Sequence, residues 1–178
     1  MPVFISGVPA HVLIVHAVVV LVPLAVLACA AVALWPAARR RYGWLAVGLT
    51  AVATICVPLA MGSGDDLRNR LVPTDLIRQH TTLGDQLVLF IAGLLVLVLA
   101  LVGLDSYRRR QATKATADQD TTEVVPARGR RLMMITLAVL TVAFAATSAI
   151  QVIRIGDSGA RAAWAETHYV APPSTGTG

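Results

Sequence analysis

Histidine is the residue type best suited to chemistry in this 178-residue sequence, which contains four of them. His11 and His16 lie at the start of the first apolar run, His80 precedes the third, and His168 lies in the C-terminal tail. Imidazole nitrogens bind metals and haem iron and exchange protons near neutral pH. His11 and His16 are five positions apart, about 140° around an α-helix, so they do not share a face as a chelating i, i+4 pair does. A pair from two facing helices is geometrically easier, and His16 with His80 is then the best pair of axial ligands for a b-type haem.

His16 is the most informative of these residues because its neighbours in sequence are apolar. If the first helix begins near Pro9, His16 lies about 10 Å along it, and ionisable residues at such depth usually face the interior of a bundle. Three interpretations are open: a neutral histidine that hydrogen-bonds across helices, a metal or haem ligand, and a proton-relay or quinone-contact group. For His80, the alternative to a cofactor ligand is an exposed polar residue at a helix start.

Further candidates lie at the same ends of the apolar runs. Residues 62–66 follow the second run, and their glycines predict a tight turn at which Asp65 and Asp66 hold a cation, pair with an arginine or cap a helix. Beyond the fourth run come Arg154, Asp157 and Trp164. Arg154 is expected to pair with an acid on this side of the protein, and Trp164 to lie at the membrane interface.

The elements that must position these residues are predicted from hydropathy. The chain is 56% hydrophobic and 14% charged, whereas a soluble domain carries about 25% charged residues. Four runs are long enough for the roughly 20 residues that a bilayer-spanning helix needs: 11–35, 44–61, 86–104 and 132–153. We therefore expect an all-α membrane protein, a four-transmembrane-helix bundle over residues 1–171 in contact with the lipid bilayer. Residues 111–127 are expected to form a flexible connector, and residues 172–178 a disordered tail.

The distribution of positive charge predicts the topology. Ten of the fifteen basic residues lie in the two loops that join runs one to two and three to four. The positive-inside rule places these loops in the cytoplasm, and both termini and all four histidines on the extracytoplasmic side. The clusters adjoin apolar runs rather than forming one polar face, so no nucleic-acid partner is predicted. The ten residues are Arg39, Arg40, Arg41, Arg108, Arg109, Arg110, Lys114, Arg128, Arg130 and Arg131.

Several classes of activity lack their sequence motif. The sequence contains no Gly-x-Ser-x-Gly, HExxH or P-loop pattern, so there is no recognisable catalytic motif. Both cysteines, Cys29 and Cys56, lie inside apolar runs, and no CxxC pattern indicates zinc or covalent haem. Charged residues are absent from the middle of every run, which argues against a transporter. Ala145 and Ala149 favour close helix packing, within the bundle or between copies in a homo-oligomer.

The chain resembles the bacterial membrane family catalogued as domain of unknown function 2231 (DUF2231). The resemblance rests on residues 11–16 at the start of the first helix, 62–66 after the second, 76–84 around His80, and 154–164 after the fourth. Val12 and Ala17 stand where the family's opening motif usually has Pro and Phe. The resemblance implies a multi-pass domain of the bacterial inner (plasma) membrane. The resemblance extends to relatives joined to Rieske or cytochrome-type domains, which implies electron transport with haem b or quinone and respiratory-chain or other membrane partners. The alternatives are a structural or accessory subunit without cofactor and, third, a small transporter.

Overall fold

Four long helices make up almost all of the described structure. The computed structural model describes residues 4–5, 8–68, 74–118 and 127–164. A short antiparallel pair, β1 (Phe4–Ile5) and β2 (Val8–Pro9), precedes the helices. The helices are α1 (Ala10–Leu34), α2 (Pro36–Arg68), α3 (Asp75–Asp118) and α4 (Ala127–Trp164). The prediction of an all-α, four-helix membrane bundle is confirmed.

Every helix contains a stretch that is long and apolar enough to cross a bilayer. In lipid, a backbone without water must satisfy its own hydrogen bonds, and a helix does this within one segment. Small and branched apolar residues such as Val22, Ala25 and Ile91 are fully buried between the helices. Large apolar side chains such as Leu27 and Leu89 are exposed on the outside, where lipid is the matching solvent. The protein is therefore a multi-pass membrane protein.

The helices run alternately up and down. Helix α1 packs mainly on α2 and α3 mainly on α4, while α2 with α3 and α4 with α1 close the bundle. Helices α1 and α3 lie across the diagonal and touch only slightly. One end of the bundle, which we call the histidine end, contains His11, Ser63, His80 and Ser158. The opposite, arginine end contains Arg39, Arg108 and Arg130.

The arginine end is held together by side chains that bind backbone carbonyls. Arg39 is buried, and its Nε and Nη2 donate to the carbonyl oxygens of Val32 and Ala33 at 2.9 and 3.0 Å. Carbonyls in the last turn of a helix have no intrahelical partner, so Arg39 caps the end of α1. Across the bundle, Arg108 Nη2 donates to the carbonyl of Arg130 at 3.4 Å, which links α3 to α4.

Two segments differ from their predicted conformation. Residues 62–66 are not a turn, because α2 continues through them to Arg68. His11 contacts the Ala60 carbonyl and the Ser63 hydroxyl in this part of α2. Residues 111–118 are helical rather than a flexible connector, since α3 continues through Asp118 without meeting a proline. Residues 119–126, the tail at 172–178 and His168 lie outside the described residues.

Candidate functional site

His11 is clamped against the end of α2. It is the second residue of α1 and is half-buried. Its Nδ1 lies 2.9 Å from the carbonyl oxygen of Ala60 and 3.2 Å from Ser63 Oγ. The Ser63 hydroxyl itself donates to the Ala60 carbonyl at 2.8 Å. Because a carbonyl only accepts, the proton of the neutral imidazole is on Nδ1, and Nε2 holds the lone pair.

His80 repeats this arrangement against the end of α4. Its Nδ1 lies 3.1 Å from Ser158 Oγ, and the Ser158 hydroxyl donates to the carbonyl of Ile155 at 2.9 Å. Because the hydroxyl proton of Ser158 is donated to the Ile155 carbonyl, Ser158 Oγ accepts the hydrogen bond from the imidazole. His80 is thus expected to be the same tautomer as His11, with its lone pair on Nε2.

A glycine lies beside each imidazole. A Cβ at Gly64 would lie 2.9 Å from His11 Cε1, and a Cβ at Gly159 would lie 3.0 Å from His80 Cε1. The first distance is shorter than real Cβ contacts and the second is tighter than nine in ten of them, so each ring packs directly on a helix backbone. Each histidine cluster therefore consists of a histidine, a Ser-Gly pair and the backbone carbonyl three residues before the serine.

The two histidine clusters are neighbours at the histidine end. Helices α1 and α3 face each other diagonally, and His11 lies within electrostatic range of His80. The candidate ligands are thus two imidazoles, each oriented through Nδ1–H. Metal-bound histidines usually donate their second N–H to a carbonyl or similar oxygen, which orients the ring and raises the basicity of the ligand nitrogen. The donor set fits a b-type haem in its chemistry, and Nε2 of His11 and Nε2 of His80 are the atoms that would hold the iron.

The other predicted site residues lie outside these clusters. His16 is exposed on α1, and Asp65 is exposed one residue after Gly64. Asp66 is within α2, and its side chain is outside the described structure. Among the described residues, no group of three or more His, Cys, Asp or Glu side chains is placed to hold a metal ion.

The candidate site residues on α4 do not lie on the face of the helix that is buried in the bundle. Arg154, Asp157 and Trp164 are all exposed. Asp157 pairs with Arg161 one turn later, rather than with Arg154. Exposed i, i+4 pairs contribute only about 0.3–0.5 kcal/mol, so this pair is a minor feature of the helix end.

Sequence reasoning missed the two serines and the two glycines that hold the imidazoles. A signal for them is present: of the three Ser-Gly dipeptides in the sequence, at 6–7, 63–64 and 158–159, the last two each follow an even-numbered span. It also missed Gln151, a buried residue whose Nε2 donates to the Leu83 carbonyl at 2.9 Å and to Gln86 Oε1 at 3.0 Å. This bridge joins α4 to α3 below the His80 cluster.

Comparison with known proteins identifies the family. A family model described as "Predicted membrane protein (DUF2231)" matches residues 7–172, which is nearly the whole chain. The chain therefore belongs to this family. No curated protein and no solved structure matches the chain significantly.

Proposed function

We propose that this member of the DUF2231 family is a redox-linked membrane subunit that binds a b-type haem at its histidine end. The observation that carries the proposal is the matched orientation of His11 and His80, each of which donates through Nδ1 and retains a lone pair on Nε2. His11 rather than His16 is the ligand from α1, because His16 is exposed on the side of that helix. Bound haem would supply one-electron transfer.

The chain's own residues would orient and shield the ligand nitrogens. Ser63 and Ser158 are 5% exposed, so water competes little for the hydrogen bonds that hold the imidazoles. These hydrogen bonds fix the tautomer and restrict rotation of both rings before any ligand arrives, which lowers the entropic cost of binding. With the arginine-rich loops in the cytoplasm, the site lies near the extracytoplasmic surface, where it would meet respiratory-chain or other membrane partners.

A quinone contact is a second candidate, favoured by a groove on the lipid side of α3 and α4. The groove has a volume of about 230 Å³ and is lined by Gln86, Leu89, Phe90 and Phe144. Phe90 and Phe144 meet edge to face with ring centroids 6.4 Å apart. Gln86 Oε1 accepts from Gln151, so the amide N–H groups of Gln86 are directed elsewhere and suit a quinone carbonyl.

A reduced-minus-oxidised optical spectrum tests the proposal. The protein is purified in mild detergent from cells supplied with a haem precursor, beside a variant in which His11 and His80 are both replaced by asparagine. A sharp b-type signal in the wild type that is lost in the double variant is the expected result. A featureless spectrum from folded wild-type protein would contradict the haem proposal. It would leave the quinone contact and the cofactor-free accessory subunit as the alternatives, which photolabelling with an azido-quinone would separate.

A further inference from the structure

The two halves of the chain share one pattern of burial. His11 and His80 are 69 positions apart, and adding the same offset to six of the seven buried residues described in α1 gives a buried residue of α3, while the seventh, Val26, corresponds to the partly buried Leu95. Any packed helix buries every third or fourth residue, so periodicity alone proves little. Here the offset of 69 is set independently by the two histidines, so the agreement between the buried positions of α1 and α3 is informative. The matching pairs are Val18 with Leu87, Val22 with Ile91, Ala25 with Leu94, Cys29 with Val98, Val32 with Leu101, and Ala33 with Val102.

Helices α2 and α4 match in the same way. Ser63 and Ser158 are 95 positions apart, and this offset also relates the two glycines and the two carbonyls that accept from the serines. Buried small residues recur deeper in the bundle at the same offset. They are Ala46 with Thr141, Thr50 with Ala145, and Ala53 with Ser148.

The packing of the helices has the symmetry that such a repeat requires. A twofold axis along the bundle exchanges the α1–α2 hairpin with the α3–α4 hairpin, and it exchanges the α2–α3 contact with the α4–α1 contact. All four of these helix–helix contacts are present, and the two contacts in each exchanged pair are similar in extent. Parallel repeats related by an axis along the membrane normal are a known architecture of membrane proteins. The diagonal pair, α1 and α3, then lies on opposite sides of the axis, which passes between His11 and His80.

We infer that the chain is an internal duplication of one histidine-bearing hairpin, and that its two histidine clusters are halves of one site in which a single metal centre binds Nε2 of His11 and Nε2 of His80. A ligand on the local axis meets both imidazoles equivalently. His16 is outside the repeated set, since Asp85 occupies the equivalent position. Only the identification of the metal centre with haem iron rests on the proposed function. The shared site itself is argued from the repeat.

Copper(II) electron paramagnetic resonance tests the shared site without haem, because imidazole is a good ligand for this ion and each bound nitrogen splits its signal. The full chain carries His16→Ala and His168→Ala and no polyhistidine tag, so that only His11 and His80 remain. One copper ion per chain with two equivalent nitrogens is the expected result. Two ions with one nitrogen each, or no binding, would overturn the inference.

Asparagine variants locate the two nitrogens. Asparagine carries its amide N–H close to the position of Nδ1, so His11→Asn and His80→Asn keep a donor for the clamp but have no counterpart of Nε2. Each variant is expected to lose one nitrogen and to bind copper at least about tenfold more weakly. Gln79→Ala and Thr82→Ala, exposed neighbours on α3, are the matched controls. If the nitrogen count falls in only one of the two histidine variants, the shared site is contradicted. If a variant fails to fold, the nitrogen count in the protein that carries only His16→Ala and His168→Ala decides the matter.

Haem binding separates this inference from the proposed function. If the wild type binds no haem but gives two copper nitrogens, the proposed function fails and the shared site stands. If the wild type binds haem, each single asparagine variant should change to a high-spin spectrum that added imidazole reverses. A variant that keeps the wild-type haem spectrum would show that the two histidines do not share the iron.

Discussion

His11 lies against the backbone of Gly64 as closely as His80 lies against Gly159, although the two contacts are built by different pairs of helices. The distances from a Cβ at each glycine to Cε1 of the facing ring would be 2.9 and 3.0 Å. Both glycines are in helices, where glycine costs roughly 0.5–1 kcal/mol relative to alanine. Close approach of an imidazole is a physical reason for glycine at both positions.

Alanine at either glycine should therefore displace the neighbouring histidine. Gly64→Ala and Gly159→Ala are each expected to lower the free energy of unfolding by about 1–3 kcal/mol through overpacking, and to weaken ligand binding at the histidine end. Thermal unfolding in mild detergent measures the first effect. Gly62→Ala and Gly156→Ala are the matched controls, because a Cβ there meets no atom of the described residues within 4 Å. The controls should be neutral or stabilising, and a control as destabilised as its partner would contradict the packing argument.

Removal of either serine hydroxyl should loosen its imidazole. Ser63→Ala and Ser158→Ala each remove an acceptor for Nδ1–H, and each is expected to destabilise the protein by about 1 kcal/mol. If the halves are equivalent, the two losses should agree within experimental error. Thr147→Ala serves as the control, since its exposed hydroxyl donates only to the carbonyl of Ala143 in its own helix. Denaturation monitored by circular dichroism is a suitable measurement, and a negligible effect of both serine variants would show that the hydroxyls do not hold the rings.

Much of the fold could be predicted from hydropathy, because a bilayer sets both the length and the composition of a spanning helix. All four predicted spans lie within the observed helices, apart from Trp35 between α1 and α2. The helix ends could not be predicted in this way. Residues 62–66 and 111–118 are polar or glycine-rich, and their helical structure depends on contacts and helix continuation rather than on apolar content.

The site was harder to predict than the spans for a physical reason. Helix α1 is apolar on all sides, so its sequence contains no amphipathic pattern to indicate which face is buried. The position of His16 along α1 could therefore be predicted from the sequence, but the exposure of its side chain could not. The partners of His11 and His80 are a carbonyl and small side chains on other helices, and such contacts have no hydropathy signal. What the sequence does contain is the repeated Ser-Gly dipeptide, which becomes informative once the helices are paired.

The cap at the end of α1 provides a test at the arginine end. Arg39→Ala should destabilise the protein by roughly 1–3 kcal/mol, because it leaves the carbonyls of Val32 and Ala33 without their donor in a buried place. Lysine should rescue only part of this loss, since its single ammonium group cannot reproduce the planar fork that binds both carbonyls. Arg40→Ala, at an exposed neighbouring position, is the control. Equal stability of the Arg39 and Arg40 variants would argue against a capping role.

Phe144 and Gly93 should be coupled across the α3–α4 interface. A Cβ at Gly93 would overlap the Phe144 ring, so Gly93→Ala is expected to destabilise the protein by about 1–3 kcal/mol. Phe144→Leu makes room for the new methyl group, and the double variant should therefore be more stable than the sum of the two single changes predicts. Gly103→Ala is the control on the same helix, since a Cβ there would meet nothing within 4 Å in the described part of the chain. A double-mutant cycle with no coupling would contradict direct packing of the two residues.

The orientation proposed for the bundle can be tested through its two ends. Ten of the fifteen basic residues lie at the arginine end, in the helix ends that connect the apolar spans, and the positive-inside rule acts on connections of this length. Alkaline phosphatase, which is active only outside the cytoplasm, should be active when fused after residue 164 and inactive when inserted at residue 120. Green fluorescent protein at the same two positions should give the opposite result, which provides the control for expression. Activity at residue 120 would reverse the topology and place the histidine end in the cytoplasm, where a haem or quinone at His11 and His80 would face cytoplasmic rather than extracytoplasmic electron carriers.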